Sequence, residues 1–150
     1  MPILTLAAMT AMSCSPDPGP PASSAYTVQI VDAFPAPTKI RCGGLATPFL
    51  ILVNVYMANS TSSPVTLLRA SSSAQYISPE ALFGKNLLVS ESLPFTPLYL
   101  RAHDGSNYST VSISGTCPPP NGYGKFYLTV FMTTDSGQYA TKPMLLSLEN

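Results

Sequence analysis

The sequence predicts an all-β chain folded as a two-sheet antiparallel β-sandwich over residues 26–150. Three observations carry that expectation. Apolar residues recur with period two along most of the chain beyond residue 26, as half-buried strands require. Clusters of Gly, Asn, Ser and Pro, "NSTSSP", "HDGSN", "CPPPNGYG" and "TDSGQ", punctuate the apolar stretches with residues that supply turn geometry. The length of 150 residues is one domain's worth, and chains of this size bury roughly two thirds of their unfolded surface, so a core forms without metals.

The elements follow in order. Residues 1–25 form an apolar arm and a proline-rich tether. Within the arm, "ILTLAAMTAM" (residues 3–12) is about as long as a signal-peptide core and well short of the roughly 20 residues a membrane-spanning helix takes. The tether is "SPDPGPPASS". Beyond it "YTVQIVD" alternates Tyr26, Val28 and Ile30 with Thr27 and Gln29, an outer strand with one wet face. A short strand follows at "TKIRC". In "TPFLILVNVYM" Phe49, Ile51, Val53, Val55 and Met57 share one face and the other is nearly as apolar, which predicts a central strand covered on both sides.

After "PVTLLRA", the stretch "SPEALFG" predicts one short helical turn near residues 79–83. Ser78 is placed to cap it, Pro79 suits its first position, Glu80 complements its dipole and Gly84 ends it. "NLLVS" and "TPLYLR" are short strands, and Asp104-Gly105 reads as a hairpin turn. In "YSTVSISG" Val111 and Ile113 alternate with Thr110, Ser112 and Ser114. "GKFYLTVFMTT" directs Phe126, Leu128, Val130 and Met132 inward and Tyr127, Thr129, Phe131 and Thr133 outward. "KPMLLSLE" puts Met144, Leu146 and Leu148 on one side. Eight or nine strands at regular spacing predict a sandwich of immunoglobulin-like or jelly-roll type, between which periodicity does not choose.

Three cysteines leave one over. Cys42 and Cys117 each end a strand where loops gather, and they are the expected disulfide, a bond of oxidising compartments and extracellular particles. Cys14 is the odd thiol. The stretch Ala11-Met12-Ser13-Cys14 resembles the lipobox of bacterial lipoproteins, which implies acylation of Cys14 and a cell-surface location, with the proline-rich stretch as tether. Ala11 stands where that family prefers leucine, and no Lys or Arg precedes the apolar run. The other reading retains the arm, with Ile3, Leu4 and Leu6 as contacts to a neighbouring subunit.

Charged residues make up 9% of the chain, with seven basic and seven acidic, against about 25% in ordinary globular domains. They are scattered, so no basic face recruits nucleic acid or anionic lipid. A near-zero net charge also gives little repulsion between copies. Chemistry is equally sparse. His103, Asp104 and Ser106 are adjacent in one turn, whereas a triad gathers residues from distant segments. The carboxylates are isolated, no cysteines have metal-site spacing, His103 is the only histidine, and no glycine-rich phosphate loop precedes a helix. Two Asn-x-Ser/Thr sequons stand at Asn59 and Asn107.

The sequence therefore predicts a non-enzymatic structural protein without cofactor or metal. Its partners are copies of itself or a capsid or surface-layer protein, met through the arm and through outward aromatics such as Tyr127 and Phe131. The location expected is a virion or extracellular surface. The alternative is a lipoprotein anchored at Cys14, touching a membrane only through its lipid, with an immunoglobulin-like domain that binds protein or glycan.

Overall fold

A computed structural model of the chain describes residues 27–43, 47–86, 93–117 and 123–149. The predicted arm, with Cys14, Ile3, Leu4 and Leu6, lies outside the described residues, as do Tyr26 and most of "NLLVS". Nine strands are described: β1 (Val28–Ala36), β2 (Lys39–Arg41), β3 (Pro48–Asn59), β4 (Val65–Ser78), β5 (Tyr99–Leu100), β6 (Asp104–Thr116), β7 (Gly124–Thr134), β8 (Gly137–Ala140) and β9 (Met144–Glu149). They form two sheets, one ordered β1-β3-β6 and the other β2-β9-β7-β4-β5, with β8 also paired to β7.

In this order the first, third and sixth strands lie side by side, as A, B and E do in an immunoglobulin-like sandwich, and so do the fourth, seventh and ninth, as C, F and G do. Pro35 sits on edge strand β1, where a missing N–H is tolerated, and beyond the cis Ala36–Pro37 bond the chain crosses to the second sheet as β2. There Ile40 pairs with Leu148 in a parallel ladder, an exception to the predicted antiparallel pairing. The last strand is also broken. β8 pairs with the far half of β7 and β9 with the near half. Between them Thr141 holds Val130, its hydroxyl accepting from the Val130 N–H at 3.0 Å and its own N–H donating to the Val130 carbonyl at 2.9 Å.

The core lies between the sheets and is built from the predicted inward set. Ile51, Val53, Val55 and Met57 of β3 meet Phe126, Leu128, Val130 and Met132 of β7, all buried, with Val111, Ile113, Leu146 and Leu148 beside them. The alternation is thus correct, but the second face of β3 is not covered by the described residues. Leu50 is 53% and Leu52 42% exposed.

Two local predictions are corrected. The turn at Glu80–Leu82 forms, with Gly84 at positive φ after it, but Pro79 caps it and no side chain bonds its amides. Ser78 instead accepts from the Lys125 N–H at 3.1 Å. The turn before β6 falls at Ala102–His103, where His103 takes the left-handed conformation (φ 56°), and Asp104 and Gly105 already belong to the strand. It is not a hairpin, because β5 before it pairs with β4 in the other sheet. Among the described residues no helix is long and apolar enough to cross a membrane.

Candidate interaction surface

The outer face of the β1-β3-β6 sheet is set by its register. Asp32 pairs with Tyr56, Phe34 with Asn54 and Ala36 with Leu52, while Tyr56 pairs with Tyr108, Asn54 with Thr110 and Leu52 with Ser112. Side chains alternate between faces along a strand, so these residues share the side opposite the core. A bulge between Ile30 and Asp32 shifts the phase of β1. Without it, Phe34 would point inward.

Three aromatic rings consequently form a row across three strands. Phe34 meets Tyr56 edge-on at 5.7 Å between centroids, and Tyr56 meets Tyr108 at 5.2 Å, a spacing at which ring pairs attract. Phe34 is 55% and Tyr108 49% exposed. Leu50 and Leu52 continue the apolar strip along β3, and on β6 it is bordered by hydroxyls. One of these, Thr110, donates to the Asn54 side chain at 2.7 Å. The only ionised side chain in this register is Asp32, whose carboxylate accepts the Ala33 N–H at 2.8 Å. The face is therefore largely apolar and carries little charge, features shared with protein contact surfaces.

The predicted site residues fall elsewhere. Cys42 and Cys117 are joined, with Cα atoms 5.9 Å apart and a sequence separation of 75. Their bond ties the end of β2 in one sheet to the end of β6 in the other. Such a bond is consistent with an extracytoplasmic location. Tyr127 and Phe131 do face outward, but on the opposite sheet: Tyr127 is 44% exposed beside Leu145, its partner in register, and Phe131 is half-buried beside Ala140. They do not join the aromatic row. Asn59 is buried and fully hydrogen-bonded, so its sequon is not an exposed one, while Asn107 is exposed on β6.

The strip at Phe34, Tyr56 and Tyr108 was missed because Leu50, Leu52 and Tyr56 make β3 look like a strand buried on both sides. The polar Asn54 in the middle of that face was the signal. Other features are weaker. A cleft of about 290 Å³ opens between Ile30–Ala33 and Thr141–Met144, with Asp32 and Lys142 among its lining. Among the described residues no three of His, Cys, Asp and Glu come together as a metal ion would require. Burial pushes the Tyr76 phenol above its ordinary value.

Neither a protein-family profile nor a curated protein matches the chain. Among solved structures it is similar to the cupredoxin domain of amoB from Nitrosocaldus yellowstonii, at 11% identity over 82% of this chain and 87% of that one, with a TM-score of 0.45. It is similar also to the ASH/PapD-like domain of human CEP192, at 11% identity, 99% and 97% coverage and a TM-score of 0.33. The CooA pilin subunit from enterotoxigenic Escherichia coli gives 13% identity, 81% and 94% coverage and a TM-score of 0.34. At these identities the likeness concerns the two-sheet β fold alone.

Proposed function

We propose that this chain is a non-enzymatic assembly protein, a β-sandwich that decorates, cements or bridges a larger particle such as a virion. Its partners are copies of itself or a capsid or surface-layer protein. The observation that carries this reading is the outward row of Phe34, Tyr56 and Tyr108, exposed at Phe34 and Tyr108 and half-buried at Tyr56, with the exposed Leu50 and Leu52 beside it. Burying such a strip releases water from apolar surface at about 25 cal/mol per Å², and the lack of charge means little desolvation opposes it. The rigid sandwich behind it presents the strip without loss of backbone entropy. Light scattering on the full chain tests this. Oligomers are expected at micromolar concentration, dissociating in a Phe34→Ser, Leu52→Ser variant that keeps the β-sheet circular dichroism. A monomer at every concentration overturns the self-assembly.

A second reading is favoured by Ala11-Met12-Ser13-Cys14: a lipoprotein anchored at Cys14 whose sandwich binds protein or glycan. Intact mass of the native protein separates the two. Loss of residues 1–13 with a gain of diacylglycerol mass establishes the anchored form, and the full-length mass removes it.

A further inference from the structure

We infer that the outer face of the β1-β3-β6 sheet is covered by the chain's own N-terminal apolar run, residues 3–12. The inference goes beyond the assembly reading, because it names an occupant of the aromatic row from within the chain that competes with a second copy for that face. Strand β3 carries large apolar residues on both faces, Ile51, Val53 and Val55 inward and Leu50, Leu52 and Tyr56 outward. That pattern belongs to a strand covered on both sides, and the second cover is absent from the described residues.

The remaining segments outside the described residues are shorter or less apolar than residues 3–12. Residues 87–92 include Leu87, Leu88 and Val89, but they lead from β4 in the opposite sheet to the edge of β6, where the Pro94 carbonyl accepts from the Ser112 N–H at 2.9 Å and Phe95 bridges to Val111. Asn86 bridges to Gln75, and the Leu93 N–H donates to the Ala70 carbonyl at 3.3 Å. Residues 118–122 are "PPPNG", and residues 44–46 are only "GLA". The run at 3–12 is the longest apolar stretch outside the described residues and carries no charge.

Reach and chemistry both fit. The described chain starts at Thr27, immediately before β1, an edge strand of the very sheet in question. Residues 13–26 lie between the run and that point. Extended at about 3.3 Å per residue they span on the order of 45 Å, and Pro16, Pro18, Pro20 and Pro21 favour extension. Neighbouring strands are about 4.8 Å apart and β3 is on the order of 40 Å long, so a linker of this length is sufficient for the run to reach this face of its own chain. An uncharged apolar segment on a face whose only ionised register position is Asp32 leaves no buried ion unpaired.

Hydroxyl-radical footprinting of the full chain, compared with a full-length Leu4→Asp, Leu6→Asp variant, tests the assignment. Labelling of Phe34, Tyr56 and Tyr108 is expected to rise several-fold in the variant, with Tyr127 on the other sheet unchanged. Equal labelling of the three rings in both proteins overturns the inference. So does protection that survives in the variant and depends on concentration, since a second copy is then the occupant, and so does a native chain that begins at Cys14. Light scattering alongside keeps the two readings apart. Arm-dependent protection in a strict monomer sustains this inference and removes the self-assembly reading, whereas oligomers unaffected by the arm substitutions do the reverse.

Discussion

The side-chain amide of Asn59 donates to the carbonyl oxygen of Arg101, 3.0 Å away and 42 residues further along the chain. The same nitrogen bonds the Ser63 carbonyl at 2.8 Å, and the side-chain oxygen accepts from the Thr61 N–H at 3.0 Å and from the Thr61 hydroxyl at 2.6 Å. Asn59 is fully buried. One side chain thus ties the loop after β3 to the turn that enters β6. Removing it takes the donor from carbonyls that are part-buried at Ser63 and Arg101 and leaves the space of a buried side chain, each loss costing roughly 1 kcal/mol or more. Asn59→Ala is expected to lose on the order of 3 kcal/mol in urea unfolding. A midpoint unchanged from wild type, or a glycan on Asn59, would refute the network.

The Cys42–Cys117 bond closes a separation of 75 residues, for which the chain-entropy account gives up to about 4.5 kcal/mol. A Cys42→Ser, Cys117→Ser variant should lose about 2–5 kcal/mol. Thiol titration of the denatured, non-reduced chain should find a single free thiol, Cys14, of three cysteines. Three reactive thiols would show that the bond does not form.

How much was legible in the sequence follows from what local pattern encodes. Period two assigns faces, so the inward residues of β3 and β7 and the strand-end cysteines could be read directly. It does not report what covers a face. Leu50, Leu52 and Tyr56 are apolar, and their spacing does not name what lies against them, a second sheet, another copy or another segment of the chain. The bulge at Val31, which sends Phe34 outward, is a tertiary adjustment to the β3 register with no residue signature. The crossing at Ala36–Pro37 hides in "AFPAPT", which reads as loop because prolines suppress strand pattern. The turn at Ala102–His103 was displaced because His103, not Gly105, takes the left-handed angle, a conformation uncommon outside glycine.

Gly124, at the start of β7, has φ +152°, and a Cβ there would sit 2.6 Å from the Ser78 carbonyl oxygen and 3.2 Å from the Tyr76 ring. Neither backbone angle nor space admits a side chain. Gly124→Ala is expected to cost on the order of 3 kcal/mol from strain and overpacking. Gly105→Ala supplies the control, because nothing lies within 4 Å of the added Cβ, and its shift should stay within about 0.5 kcal/mol. Similar losses in the two variants would contradict the placement of β7.

Tyr76 is 3% exposed and stacks edge-on against Phe126 at 6.3 Å, yet its hydroxyl has no hydrogen-bond partner among the described residues. A buried hydroxyl without a partner costs free energy, so Tyr76→Phe, which keeps the ring, should leave stability at pH 7 unchanged or raise it by about 1 kcal/mol. Burial also pushes the phenol above its ordinary 10.0. With the folded value raised, the folded chain holds this proton where the unfolded chain releases it. The group's contribution is therefore fully present below pH 10 and declines as pH rises above it. Denaturation midpoints of wild type and variant should accordingly run parallel up to pH 10 and separate above it, with wild type falling faster. The other tyrosines are common to both chains, so the difference isolates this side chain. A variant less stable by a kilocalorie or more at neutral pH would mean that the hydroxyl is bonded, and this account of the Tyr76 environment would fall with it.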